Sequence, residues 1–252
     1  MRDNPDLCLC ALLYSADEYS IRLAQRLLNA EFVELGLRAD VRLGLNAVSD
    51  QTRELVSNIT LDSFPDALVI DARTNIGKYP MMRQLFNSRL ITAPYMMWFD
   101  DDSCIVPGTN ITTWFDRIKK QLSAFALLGS VYHRSFVGGQ MDWVRAQPWY
   151  RGLEPQPYVK FASGSWWVAR TELIHALDWP PENLTHRGGD VMLGEAMRQL
   201  GYRIGHFRDG LWINANDHGV ESESPRRRCE EVPVGVDFVP DSVIKAAISA
   251  EL

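Results

Sequence analysis

A chain of 252 residues, 46% apolar and 23% charged, has the balance of an ordinary globular protein and the length for one sizeable α/β domain. Its formal net charge of −6 argues against broad, non-specific nucleic-acid binding, although an acidic protein can still carry a local basic patch. No run approaches the roughly 18 apolar residues that span a bilayer, and residues 1–6 are too polar for a signal peptide. The expectation is a cytoplasmic protein with no membrane anchor. Cys8, Cys10, Cys104 and Cys229 lack metal-type spacing and read as reduced thiols.

In chain order, residues 7–14 read as a first strand, followed by one helix over about 17–36 with Ile21, Ala24, Leu27, Leu28, Phe32 and Leu35 on its apolar side. Gly36 suits the residue after that helix. Residues 40–45 form a second strand, and Ser49 or Asp50 caps the helix bearing Leu55 and Val56. Phe64-Pro65 ends it, a short buried strand follows at 67–70, and a helix over about 80–90 leads into the run 94–99. Four alternating units of this kind predict a parallel, Rossmann-like sheet flanked by helices.

Beyond Gly129 the texture changes. Residues 132–160 are rich in Gly, Pro and Trp without a helical period, and predict loops and antiparallel strands. Residues 159–169 are strand-like around a Gly-Ser step, 190–200 form a short helix closed by Gly201, and 202–207 form a strand. A closing loop and a terminal helix near 241–250 complete the chain. The expected organisation is a single α/β domain over 1–252. Residues 5–130 form a nucleotide-binding half, 131–220 a smaller antiparallel half, and 221–252 a terminal loop and helix.

The most informative residues are Asp100, Asp101 and Asp102, directly behind the apolar run Tyr95-Met-Met-Trp-Phe99. Adjacent carboxylates at the end of a buried strand repel one another unless a cation shares the site. In open α/β sheets the carboxyl ends of the strands are where ligands bind. Hard oxygen donors there suit Mn²⁺ or Mg²⁺ bridging to a phosphate. A polar strand-end loop is the plainer alternative.

Asn75-Ile-Gly77-Lys78, Arg83 and the run ending in Asp100-Asp-Asp102 together resemble the nucleotide-sugar half of GT-A fold glycosyltransferases of the family 2-like group. Gly188-Gly-Asp190-x-x-Leu-Gly194 with Gly201-Tyr202 resembles their acceptor-side motif, and His218 matches a late metal-binding histidine. These pieces fall in the family's order over roughly residues 5–220. The resemblance implies a GT-A fold and a nucleotide-diphosphate sugar donor, UDP-linked by preference. It makes Asp100 and Asp102 the Asp-x-Asp motif, with Asp102, Asp100 and His218 toward the metal and Asp101 toward metal or nucleotide. His206 and His186 compete with His218 on residue type alone.

Within the same resemblance, Lys78 and Arg83 point to nucleotide or phosphate, against a solvated helix face as the alternative. Asn75 fits a tight turn against the ligand, and Asp71 touches base or ribose. Tyr14 and Ser15 face the base, although Ser15 serves equally as a helix cap. Asp190 is the expected general base of an inverting displacement, taking the acceptor hydroxyl proton. Capping the following helix would instead lower its pKa. Family members usually carry Glu-Asp where this chain has Gly189-Asp190. Gly164 and Ser165 face the donor sugar, and Trp166 and Trp167 must point to opposite faces of a strand, one to core and one as a sugar platform. Arg226-Arg-Arg228 is a basic cluster suited to a diphosphate or anionic acceptor, or simply to solvent.

The leading expectation is therefore a metal-dependent, inverting glycosyltransferase. Its acceptor is a soluble glycan, a small molecule, or a hydroxylated base in modified DNA of the phage type. A sugar-phosphate nucleotidyltransferase is the alternative enzyme, disfavoured because Ser-Ala-Asp follows Tyr14 in place of a Gly-rich phosphate loop. A catalytically inactive sugar-binding module on the same scaffold is the non-enzymatic alternative.

Overall fold

The computed structural model describes residues 5–14, 18–135, 138–154, 156, 158–185 and 188–213. The elements run β1 (Leu7–Tyr14), α1 (Glu18–Leu27), α2 (Ala30–Gly36), β2 (Ala39–Asn46), α3 (Asp50–Ser63), β3 (Leu68–Ala72), α4 (Lys78–Asn87) and β4 (Tyr95–Asp100). They continue with β5 (Cys104–Ile105), α5 (Ile111–Leu122), β6 (Leu127–Ser135), α6 (Gly138–Arg145) and β7 (Tyr158–Arg170). Then come α7 (Thr171–Ala176), α8 (Gly189–Gln199), β8 (Ile204–His206) and β9 (Leu211–Trp212).

The main sheet has seven strands in the order β3-β2-β1-β4-β7-β6-β8, and β5 and β9 form a small antiparallel pair. Strands β3, β2, β1 and β4 are parallel; β7 joins β4 and β6 in antiparallel fashion. Both faces of the sheet are covered, so the central strands are apolar on both sides. Along β1 the side chains alternate: Cys8, Cys10 and Leu12 face the layer of α4, α7 and α8, while Leu7, Leu9, Ala11 and Leu13 face α1, α2, α3 and α5. The chain builds outward from β1 through β2 to β3, then returns to lay β4 on the other side of β1. That reversal opens a crevice between the carboxyl ends of β1 and β4.

Several local expectations are corrected. The helix expected over 17–36 is two helices, because Asn29 interrupts the first and caps α2 through a 2.9 Å bond from Phe32 N. Gly36 is the last residue of α2, not the residue beyond it, and packs under Phe64, with Cζ 2.8 Å from an added Cβ. Ser49, not Asp50, caps α3. Strand β3 lies at the sheet edge and is half-exposed, not buried. Residues 132–160 contain helix α6, and α5 stands where no element was assigned. Helix α5 has a continuous apolar stripe of Ile111, Trp114, Phe115, Ile118 and Leu122, so the 3.6-residue period was present in the sequence. The expected terminal helix lies outside the described residues. Among those described, no helix is long and apolar enough to cross a membrane, and Cys8, Cys10 and Cys104 are free.

Candidate functional site

The parallel strands deliver one polar residue after another to their carboxyl ends. Tyr14 ends β1, Asn46 ends β2 and Asp100 ends β4. Side chains just beyond β3 and β4, Asn75 and Asp101, tie the ends together. Asp101 Oδ2 accepts from Tyr14 N at 3.0 Å, directly across the crevice between β1 and β4. Asn46 Nδ2 donates to Asn75 Oδ1 at 3.0 Å, and Asn46 Oδ1 accepts from Ile76 N at 2.9 Å. Asn75 in turn reaches the Tyr14 hydroxyl at 3.4 Å and accepts from Gly77 N at 2.9 Å. Asn75 thus belongs to the tight turn expected of it, and Gly77 precedes α4 with φ at 90°. Asn46 was not anticipated; its signal is its place directly after the expected second strand.

The three aspartates have different surroundings. Asp100 is engaged on both oxygens: the Lys78 ammonium pairs with Oδ2, and Trp98 Nε1 donates to Oδ1 at 2.8 Å. Burial nevertheless raises its pKa against the opposing pull of Lys78. Among the described residues, Asp102 has only long hydroxyl contacts, from Ser103 at 3.2 Å and Ser165 at 3.5 Å. Burial, and then the charge of Asp100, push its pKa up to about 6. An anion so destabilised is what an added cation would relieve.

Lys78 gathers the two halves of the site. Its Nζ also donates to the Gly164 carbonyl at 2.8 Å, in the middle of β7. A Cβ at Gly164 would lie 2.9 Å from that nitrogen and 3.8 Å from Asp190 Cβ, so glycine lets β7 run close to the lysine here. Asp190 stands in the first turn of α8, behind Gly188 at the N-cap, and its Oδ1 accepts from Val191 N at 2.9 Å. The amides at the helix start pull its pKa down, as capping would, but they do not set the net direction. Burial raises it, outweighing Lys78 and the backbone amides of Val191, Asp190 and Gly164.

Gly189 has a steric explanation. An added Cβ would come within 2.6 Å of Tyr79 Cε1, and closer still to Cζ and the hydroxyl oxygen, leaving no room for the acidic side chain that the resemblance expects. Tyr79 was absent from the sequence reading because an aromatic next to a lysine on a helix reads as core.

Other expected residues are not brought to this cluster. Trp166 and Trp167 do face opposite sides of the sheet, but both are buried, 0% and 3% exposed, so neither is a sugar platform. Trp167 stacks on Trp98 at 6.4 Å and 14°, and Trp166 packs among Phe99, Trp114 and Phe207. Arg83 turns to the surface, bonding to Pro180 O at 2.7 Å and to Asp178 and Glu182. Asp71 sits on edge strand β3, paired with Arg53 and Arg73. His206 accepts from Val131 N at 3.2 Å. Ser15, His186, His218 and Arg226-Arg-Arg228 lie outside the described residues.

Among the described residues no three His, Cys, Asp or Glu side chains form a metal-binding group. A hard divalent ion does not require one. Mg²⁺-type ions are commonly held by one or two carboxylates, with waters and substrate phosphates completing the shell. Asp102 fits that role, and Asp100, engaged by Lys78 and Trp98, fits it less well.

The sheet order and the antiparallel addition through β7 are those of the GT-A fold of glycosyltransferases, as the sequence resemblance implied. Among solved structures, a mannosyltransferase from Pyrobaculum calidifontis, in complex with GDP-Man and Mn²⁺, is similar at a TM-score of 0.56 and 14% identity. That match covers 82% of this chain and 56% of the other. S. aureus TarS is similar at 0.52 and 16%, covering 81% and 35%, and its 1–349 fragment at 0.50 and 17%, covering 81% and 58%. The chain thus spans well under two thirds of these neighbours. No protein-family model and no curated protein matches it.

Proposed function

We propose that the chain is a metal-dependent, inverting glycosyltransferase that moves a sugar from a nucleotide-diphosphate sugar to an acceptor hydroxyl. The observation that carries it is the pairing of two acidic groups across one crevice: Asp100–Asp102 at the end of β4 and Asp190 at the start of α8, joined through Lys78 and Gly164. The shared fold with a mannosyltransferase crystallised with GDP-Man and Mn²⁺ supports it.

In this reading the nucleotide lies along Tyr14, Asn46 and Asn75, with the diphosphate toward Asp102 and Lys78. Mn²⁺ or Mg²⁺, held by Asp102, would supply Lewis-acid neutralisation of the leaving diphosphate. Lys78 adds a fixed positive charge beside it. The acceptor hydroxyl gives its proton to a carboxylate oxygen of Asp190 as its oxygen bonds to the anomeric carbon. The bond from that carbon to the diphosphate oxygen breaks, and the nucleoside diphosphate leaves. Direct displacement of this kind inverts the anomeric centre. The raised pKa of Asp190 makes it a stronger base than an ordinary carboxylate. Ser165, beside Asp102, faces the donor sugar.

UDP is the favoured nucleotide on the sequence resemblance, whereas the mannosyltransferase neighbour binds GDP-Man, so the base is for experiment to decide. The acceptor classes remain a soluble glycan, a small molecule or a hydroxylated DNA base. Thermal unfolding with UDP, GDP, CDP and TDP, each with and without Mn²⁺, tests the proposal. A ligand at a hundredfold its Kd adds about 2.7 kcal/mol, a readily seen shift. One diphosphate should stabilise only with metal, and Asp102→Ala should remove the effect. A chain that no diphosphate stabilises is not a nucleotide-sugar transferase, and the sugar-binding module takes its place.

A further inference from the structure

Tyr79 is assigned no chemical step, yet it is built into the site, with Lys78 Nζ 5.8 Å from its ring centre. It is 4% exposed, and its ring meets Trp179 edge-on at 6.0 Å. Its backbone N–H donates to Thr185 O at 3.2 Å, tying the start of α4 to the segment that leads toward α8. Its hydroxyl oxygen and ring edge pack directly against Gly189, the residue before Asp190. Its ring also fills the space a side chain at position 189 would need.

The first amides of a helix have no partner within it and need an acceptor from elsewhere. In α8 the Asp190 carboxylate takes that part itself, accepting from Val191 N at 2.9 Å, and the turn it belongs to lies against Tyr79. The residue before it, Lys78, holds Gly164 and Asp100. Two consecutive residues of α4 therefore locate both faces of the crevice.

We infer that Tyr79 is a positioning residue for Asp190: its ring and hydroxyl oxygen, packed against Gly189, set how closely the first turn of α8 approaches α4. This rests on Asp190 being the base. A phenylalanine keeps the ring but removes the atom that meets Gly189, leaving a gap beside the turn. The turn then resettles, and a displacement of about 1 Å at a reacting group can cost on the order of a hundredfold in rate.

The test uses the full chain with Tyr79→Phe, Gly189→Ala, Tyr79→Ala and the double variant Tyr79→Ala/Gly189→Ala. Three quantities are measured: Tm, the Tm shift with Mn²⁺ and the diphosphate selected by the unfolding screen, and turnover of the matching sugar nucleotide. Tyr79→Phe should stay folded and keep the diphosphate shift, with kcat down about tenfold or more and donor KM within about twofold. Gly189→Ala should lower Tm with Tyr79 present and lower it far less in the Tyr79→Ala background. Unchanged turnover in Tyr79→Phe overturns the inference. So does a Gly189→Ala penalty that is equal in both backgrounds, or a diphosphate shift lost together with kcat. A wild-type chain that no diphosphate stabilises overturns the transferase reading and this role with it; the thermal coupling alone then reports the contact.

Discussion

The Lys78 ammonium is bonded to the carboxylate of Asp100, the residue that ends the central strand β4. Both side chains are largely shielded, at 14% and 18% exposure, so the pair lies between the surface and the buried extremes. Removing one partner leaves a poorly solvated charge. Lys78→Met should cost roughly 2–3 kcal/mol at pH 7.5, between typical surface and buried values. The cost should shrink at acid pH, because Asp100, whose pKa is raised by burial, takes up a proton more readily than an ordinary carboxylate. Urea unfolding at neutral and acid pH checks this; equal losses would show that the lysine acts by packing alone.

Asp102 should weaken the fold it belongs to. Its pKa in the folded chain is about 6, above its usual 3.8, because burial and Asp100 disfavour the charge. A raised acid contributes stability below its unfolded pKa and loses it as pH climbs through the folded value. The ligand-free protein should therefore lose stability between about pH 4 and 6, and Asp102→Asn should be more stable than wild type at pH 7.5. A gain on the order of 1–2 kcal/mol is expected, allowing for partial exposure. The same substitution should abolish stabilisation by nucleoside diphosphate with Mn²⁺. A less stable Asp102→Asn would mean that the carboxylate has a structural partner.

Asp190→Asn separates binding from chemistry. Removing a general base costs typically 10²–10⁴ in rate. The diphosphate-induced Tm shift should survive. Since burial raises the Asp190 pKa, the acid limb of the wild-type rate profile should lie above the ordinary carboxylate range. A profile flat through that region would remove Asp190 from the proton transfer.

Trp166 and Trp167 are expected to behave as core residues. Trp166→Ala should cost about 3–5 kcal/mol, the usual range for emptying a buried aromatic site. At temperatures where the variant remains folded, its diphosphate shift should match wild type. Selective loss of donor binding from a fully stable Trp166→Ala would contradict its burial among Phe99, Trp114 and Phe207.

Arg83→Ala should leave diphosphate binding unchanged and alter stability by about 1 kcal/mol or less, because its acidic partners Asp178 and Glu182 are largely solvated. Titration of the diphosphate against both proteins decides it. A tenfold weakening would return Arg83 to the binding site.

The sequence by itself determined the alternation of strands and helices up to β4, the place of the Asp triplet behind it, and the strand-like character of the run around Gly164. These follow from local apolar periodicity, which forces a run such as Tyr95–Phe99 into the sheet whatever surrounds it. Helix breaks were less legible, since one side chain, Asn29, outweighed an otherwise continuous apolar pattern. Only the tertiary structure decided which polar groups meet. Lys78 and Gly164 are 86 positions apart, and nothing in either neighbourhood specifies the other. The same holds for Gly189, whose missing side chain makes sense only once Tyr79 occupies that space. Burial also decided between functions that composition leaves open: a tryptophan beside a polar turn reads equally as core or as ligand surface until the opposing layer is known. Partner choice and desolvation belong to packing across the chain, and the periodicity of any single segment carries no record of them.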